Sequence, residues 1–129
     1  MKTLMCCFLL VSALSTSPVG INMQDITRAI GKGDAETLGM YFDQTVEVAI
    51  IENEDVYKRP EAVQMLKTFF VNNQPRSYTQ VHRGTSESKD SMYSIGKLVT
   101  QGGSTYRVYL YMNISGNKHL IKEVRFDET

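Results

Sequence analysis

The sequence has no tryptophan, only two cysteines and no surplus of charge of either sign. Lysine and arginine number 14, as do aspartate and glutamate, so the basic excess that grips a phosphate backbone is missing and general nucleic-acid binding is disfavoured. Two cysteines are too few for a disulfide-dense small protein or a cysteine-based zinc module. With 129 residues, 42% of them hydrophobic, the chain has the length and composition of one folded domain.

Both cysteines lie in an N-terminal segment with the pattern of a secretory signal peptide. Lys2 supplies a positive start, residues 4–11 form an unbroken apolar run, and small residues follow. Residues 13–15 fit the small-x-small rule for cleavage, so we expect a signal peptide over residues 1–15. The alternative is a later cleavage, within residues 17–20. The alternative to a signal peptide is a buried N-terminal helix, which a run that is apolar on every side disfavours.

The processed chain is therefore expected to be exported, either to the periplasm or into the medium. It would contain no cysteine and would carry 13 basic and 14 acidic side chains, because the leader removes only one lysine. No second apolar stretch approaches the ~20 residues of a membrane-spanning helix, so no stable membrane span is expected after processing. With two histidines left, a zinc site would need carboxylate ligands, and we predict neither a metal nor a cofactor.

Helical periodicity predicts three helices in the first part of the chain. The first lies within 21–33 and ends at a glycine-rich corner, and Asp34 caps the second, which is short. The third runs over 61–71, with Pro60 in its first turn. Each has an apolar face that needs a partner surface.

Strand patterns dominate the rest of the chain. One strand is predicted at 46–51, before a polar tip at 52–55. Four more, separated by turn signals, are predicted at 77–85, 92–100, 105–113 and 119–127. The predicted helices come first in the chain and the antiparallel meander comes last. This order indicates an α+β fold, with the N-terminal helices packed on one face of a curved antiparallel sheet.

Order and pattern together resemble the nuclear transport factor 2-like, or cystatin-like, superfamily. Within it, the chain resembles an uncharacterised family of exported proteins from Bacteroidota, a domain of unknown function. The resemblance covers about residues 21–127, which we take as one nuclear transport factor 2-like domain. The stretches that carry it are 30–35, Phe69-Phe70, 78–84, 93–98 and 106–109.

The resemblance implies a cone formed by a curved sheet around a helix, whose open end often holds a small molecule. It also implies frequent dimerisation through the outer face of the sheet. It does not imply an activity, because the same cone serves isomerases, dehydratases, binding modules and transport factors.

The leading pocket candidates are Tyr78, Gln80 and His82, which strict alternation places on one face of a strand, together with Tyr106 on a later strand. His82 is the candidate proton carrier, and a tyrosine is the candidate donor to a developing oxyanion. The alternative is a histidine that is hydrogen-bonded within the sheet or exposed beside Arg83. No paired carboxylate stands at a diagnostic spacing, which weakens the catalytic interpretation.

A second set of candidates lies on the strand over 105–113. Arg107, Tyr109 and Tyr111 alternate with apolar residues and form a strip of interface-like composition, which predicts a homodimer or a partner surface. The alternative is that a long loop covers the strip. His119 follows a lysine at a turn and is expected to be exposed.

Asp90-Ser91-Met92 matches the tripeptide that Bacteroidota glycosylate on exported proteins, and it lies in a predicted hairpin loop. Ser91 is therefore a candidate glycosylation site.

Three functions remain open from the sequence. The first is a non-catalytic module that binds a small ligand or a protein partner. The second is a small isomerase, dehydratase or hydrolase that uses His82 for proton transfer. The third is a structural subunit for envelope assembly that acts through Tyr109 and Tyr111.

Overall fold

The computed structural model describes the backbone of residues 18–129 and the side chains from Met23 onward. The leader predicted at residues 1–15 lies outside the described residues. The elements in chain order are α1 (Pro18–Lys32), α2 (Ala35–Gly39), β1 (Phe42–Ile50), β2 (Asn53–Lys58), α3 (Arg59–Asn72), β3 (Pro75–Thr85), β4 (Ser91–Thr100), β5 (Thr105–Ser115) and β6 (Lys118–Glu128). Within this range, none of the helices has the length and hydropathy needed to cross a bilayer.

The six strands form one curved sheet in the order β2-β1-β6-β5-β4-β3. Strands β3 to β6 are the predicted antiparallel meander, and β1 joins it by running parallel to β6. The expected polar tip at 52–55 is instead a turn followed by β2, which pairs antiparallel with β1. Almost all β2 side chains are exposed, so this edge strand lacks the apolar alternation by which strands are recognised.

The corner between α1 and α2 follows from two adjacent residues. Gly33 adopts a φ of 66°, and the backbone N–H groups of Gly33 and Asp34 donate to the carbonyls of Ile30 and Ala29. This is the glycine-terminated helix end in which the last carbonyls are satisfied locally. The carboxylate of Asp34 then accepts from the backbone N–H of Thr37 at 3.1 Å and from its hydroxyl at 2.6 Å, so the predicted cap of α2 is confirmed.

The helices cover one face of the sheet, which we call the inner face, and leave the other, the outer face, open. Ile26 and Ile30 of α1 and Leu66 of α3 are fully buried within the core that these helices form with the sheet. Phe69 of α3 lies 4.4 Å from Phe126 of β6 between ring centroids. Each such side chain stabilises the fold by about 1.5–3 kcal/mol relative to an exposed position. The predicted α+β architecture is confirmed.

Candidate functional site

A cavity of about 580 Å³ opens between α1 and the edge strand β3 on the inner face, and we call it the α1–β3 groove. Its lining is Met23, Gln24, Thr27, Arg28, Gly31, Lys32, Tyr78, Gln80 and Arg83. Two of the predicted pocket residues, Tyr78 and Gln80, therefore lie in the groove. The α1 residues were not predicted as site residues.

Helical spacing explains how α1 serves both the groove and the core. Its groove-lining residues at positions 24, 27, 28 and 31 follow the i, i+3, i+4, i+7 pattern of one stripe. Ile26 and Ile30 lie on the adjacent stripe and are fully buried. A Cβ on Gly31 would lie 3.6 Å from the Cβ of Tyr78, so α1 and β3 approach closely at the base of the groove.

Tyr78 forms part of the groove because it packs over a glycine of the neighbouring strand. A Cβ on Gly96 would overlap the Tyr78 ring and hydroxyl, so the ring occupies the space that a side chain at 96 would fill. The hydroxyl is buried beside the Ser94 hydroxyl, but it makes no hydrogen bond of good geometry with any described residue. Burial raises the pKa of Tyr78 to about 12, an effect that the nearby Ser94 hydroxyl partly offsets. Tyr78 is therefore a neutral donor at any physiological pH.

Gln80 contributes a second unpartnered polar atom to the groove. Its Nε2 is buried and makes no hydrogen bond within residues 18–129. A buried donor without a partner costs about 1–3 kcal/mol, and such groups in a folded protein call for a reason. Here the two residues that carry these unpartnered groups, Tyr78 and Gln80, line one cavity.

The groove is positively charged. Arg28, Lys32 and Arg83 line it, and no acidic residue is among its nine lining residues. Asp25 lies 3.8 Å from Arg28, in a pair whose side chains are 36% and 63% exposed, so this contact contributes little stability. Arg83 has no carboxylate within ion-pair distance in the part of the chain that the structure describes.

The prediction that His82 shares a face with Tyr78 and Gln80 is wrong. The pairing of β3 with β4 shifts between Gln80 and His82, so that the intervening Val81 is an extra residue. Beyond this bulge the alternation is reversed, and His82 lies opposite Ile95 on the outer face, where it is exposed. The same reversal carries Arg83 to the inner face, which is why the groove contains an arginine that strict alternation places outside.

Tyr106 is not a groove residue. Its ring is buried in the core, edge-on to Phe69 with centroids 5.2 Å apart, and its hydroxyl donates to Oδ1 of Asn73 at 2.9 Å. Tyr106 therefore does not share a cavity with Tyr78 and Gln80, because its ring packs against α3 rather than against α1. It lines a separate cavity of about 330 Å³ together with His82 and Arg107.

The expectation that His119 is exposed is also wrong. The residue opposes Ile114 across the β5–β6 pairing and is only 2% exposed. Neither ring nitrogen has a hydrogen-bond partner among the described residues, and burial lowers the pKa of the imidazole. A polar residue beside a turn is normally hydrated, but the inner-face alternation of β6 places this one in the interior.

The outer face carries the strip predicted from β5. Arg107 and Tyr111 are exposed there, Tyr109 is half-buried, and Tyr93 of β4 stacks on Tyr109 with centroids 6.4 Å apart and 21° between the ring planes. Tyr93 is 40% and Tyr111 36% exposed, and no other described element covers them. No local sequence signal marks Tyr93 as a surface residue beside Tyr109, because its position depends on the register of β4 against β5.

The opposite end of the outer face is acidic. Glu47 is hydrogen-bonded to Glu54 and lies near Glu123, and these contacts, with partial burial, raise the pKa of the Glu47 carboxyl. Arg125 donates to Glu54 at 3.2 Å and to Glu123 at 3.3 Å. Within residues 18–129, no group of three or more histidine, cysteine, aspartate or glutamate residues is arranged to hold a metal ion.

Ser91 is the first residue of β4 and is half-buried. Its backbone N–H donates to the Ser86 hydroxyl at 3.2 Å, and the neighbouring Asp90 accepts from Ser86 and Ser88. The candidate glycosylation site thus lies where the turn joins the strand.

Comparison with known proteins relates the chain to a family of unknown activity. The sequence profile described as Domain of unknown function (DUF4783) matches residues 23–127. A DUF4783 protein from Bacteroides fragilis has 28% identity and a TM-score of 0.74, with 81% of this chain and 96% of that chain covered. One from Bacteroides uniformis has 24% identity and a TM-score of 0.75, with coverage of 82% and 95%.

More distant similarity identifies the fold alone. A nuclear transport factor 2-like protein of unknown function from Silicibacter pomeroyi has 10% identity and a TM-score of 0.63, with 87% of this chain and 93% of that chain covered. No curated protein matches the chain. The fold is therefore the nuclear transport factor 2-like cone, as the sequence resemblance implied.

Proposed function

The chain belongs to the DUF4783 family, and we propose that it is a non-catalytic module that binds a small organic ligand in the α1–β3 groove. The observation that carries this proposal is a cavity of about 580 Å³ whose β3 wall includes two residues with unpartnered buried donors, Tyr78 and Gln80. Ligand pockets in proteins span about 300–1,000 Å³ and combine apolar walls with a few placed polar groups. The Tyr78 ring and Met23 supply apolar walls here.

Binding is favoured over proton transfer by the contents of the groove. A general acid–base site needs a group that changes protonation within reach of the ligand, usually a histidine or a carboxylate. The described lining has neither, and His82 lies on the other face of the sheet. The groove therefore offers recognition without a proton carrier.

The predicted leader assigns this module to a site outside the cytoplasm, in the periplasm or the medium. We propose that the processed chain starts after Ser15 and binds its ligand outside the cytoplasm.

Native mass spectrometry of the protein purified from its own cells tests the binding proposal. We expect a species heavier than the processed polypeptide by the mass of one ligand, while the denatured chain gives the position of the leader cut. Thr27→Trp places a large ring in the groove and should remove the additional mass. Thr79→Trp is the matched control, because Thr79 lies on the same strand as Tyr78 but points to the outer face and is exposed.

Two results would contradict the proposal. One is a native mass equal to that of the bare polypeptide under conditions that preserve the fold. The other is a bound mass that survives Thr27→Trp but is lost in Thr79→Trp, which would move the ligand to the outer face.

The outer-face tyrosines favour a second role, the binding of another copy of this chain. Exposed tyrosines next to an arginine have the composition of interface centres. We expect a dimer in light scattering, and Tyr111→Glu should convert it to a monomer by placing a charge in the buried strip. Thr79→Glu, at an exposed site on the same face, is the control. A monomeric mass for the unaltered protein would refute this role.

A further inference from the structure

We infer that the ligand of the α1–β3 groove is an organic carboxylate with an apolar body, and that Arg83 is the residue that recognises its charged end. This inference rests on the proposed function and adds the class of ligand. Three features support it: the positive charge of the groove, the hydrogen-bond donors of its lining residues and the bulge in β3.

The positive charge of the groove indicates that its ligand is an anion. Three cationic side chains line the groove, and among its described lining residues no acid balances them. Arg28 has Asp25 as a distant partner at 3.8 Å, whereas Arg83 has no carboxylate within ion-pair distance in residues 18–129. An unpaired guanidinium at the wall of a cavity attracts an anion, and its planar fork matches the two oxygens of a carboxylate.

The donors indicate the same kind of ligand. Arginine and lysine side chains only donate hydrogen bonds, and three of them line the groove. Tyr78 and Gln80 line it too, and each has a buried donor without a partner of good geometry. A ligand that fits must therefore bring acceptors, and a carboxylate brings two oxygens with about four lone-pair sites. The Met23 side chain and the Tyr78 ring give its apolar body a place to pack.

The bulge at Val81 makes this arrangement specific. In a regular strand with no bulge, Val81 would take its own place in the alternation, so the arginine at 83 would project from the outer face and the histidine at 82 from the inner face. With it, Arg83 lies opposite Ser94 on the inner face, next to the groove residues of α1. Bulges often redirect a side chain at a functional site.

The test is an NMR titration of ¹⁵N-labelled protein with acids and their matched amides. The pairs are phenylacetate and phenylacetamide, 3-phenylpropanoate and 3-phenylpropanamide, and cyclohexanecarboxylate and its amide. Each amide keeps the shape of its acid and removes the charge. At low ionic strength we expect the acids to bind about fivefold to tenfold more tightly than the amides, with shifts at the groove residues. Added salt should reduce this preference by screening.

Arg83→Gln should abolish most of the preference for the acid while keeping the amide affinity. Arg76→Gln is the matched control, because Arg76 is an exposed arginine on the same strand that does not line the groove. Inorganic phosphate alone is the third probe. If it shifts the groove residues as strongly as the acids do, the ligand is a phosphorylated compound and the carboxylate assignment is wrong.

Different outcomes would overturn the carboxylate inference and the proposed binding function. If amides bind as tightly as acids, or if Arg83→Gln leaves the preference unchanged, the inference is overturned while a groove that binds ligands is retained. If neither acids nor amides move the groove resonances, the inference is overturned, and the proposed function falls with it only when the native mass is also that of the bare polypeptide.

Discussion

Gly96→Ala is expected to lower the free energy of unfolding by about 2–3 kcal/mol, because a Cβ at this position would overlap the ring and hydroxyl of Tyr78. Strand β4 lies between two partners, so its backbone cannot move away from the clash without disturbing both pairings. The ring must leave its place over β4 and swing toward the α1–β3 groove. The substitution therefore exposes a buried aromatic surface and also fills part of the binding cavity.

Urea unfolding followed by circular dichroism measures this loss, and two variants identify its cause. Gly102→Ala is the matched control, since the nearest atom to its added Cβ is 4.0 Å away, and its effect should be small. In a Tyr78→Ala background, Gly96→Ala should cost little or even stabilise, because glycine within a strand is unfavourable by about 0.5–1 kcal/mol relative to alanine. Equal costs in the two backgrounds would show that the Tyr78 ring is not what requires the glycine.

His119→Leu is expected to stabilise the protein by about 1 kcal/mol near pH 7.5, with a larger gain in acid. The imidazole is buried without a partner for either nitrogen, so an apolar side chain of similar size removes a group that loses its hydration on folding. Thermal unfolding scans from pH 5 to pH 8 in a two-state regime provide the measurement.

The acid dependence follows from the pKa of His119, which burial lowers from the ordinary value of 6.5. Between 6.5 and the lower folded-state pKa, the unfolded chain binds more protons than the folded one. The contribution of His119 to stability is therefore complete above pH 6.5 and declines as the pH falls, with a slope that approaches about 1.4 kcal/mol per pH unit. Below the folded-state pKa, the loss is constant.

Controls separate this effect from other titrations. Glu47 has a raised pKa, so its contribution runs the opposite way and declines as the pH rises above its unfolded value of 4.5. This contribution cancels when His119→Leu is compared with the unaltered protein. His119→Gln removes the titration but keeps a polar group, so it should flatten the slope without stabilising at pH 7.5. His82→Gln, on the exposed outer face, should leave the slope in place, and a slope lost there instead would refute the assignment.

The order of elements could be predicted from local patterns because those patterns report on local physics. Asp34 caps α2 because its side chain can accept from a backbone N–H of the first turn. Gly33 ends α1 because glycine readily adopts a positive φ. The meander strands β3 to β6 are predictable because each alternates or carries β-branched and aromatic residues. Strand β2 is not predictable in this way, because almost all of its side chains are exposed and it has no apolar face.

The candidate site could be predicted only in part. Tyr78 and Gln80 were identified by their shared face, but their partners in the groove come from α1, some fifty residues earlier in the chain. The groove positions of Arg28 and Lys32 depend on the angle at which α1 crosses the sheet. Their sequence pattern is that of any solvated helix face, so no local signal marks them.

The two histidines show where local information ends. Composition, periodicity and turn residues specify an α+β chain with an apolar inner face, since burial of that face is the main driving force of folding. The placement of single side chains depends on strand pairing instead. One extra residue at Val81 moves His82 out and Arg83 in, and pairing with Ile114 takes His119 into the core. Register is a property of two paired strands, so the sequence of one strand alone does not determine which face each of its side chains occupies.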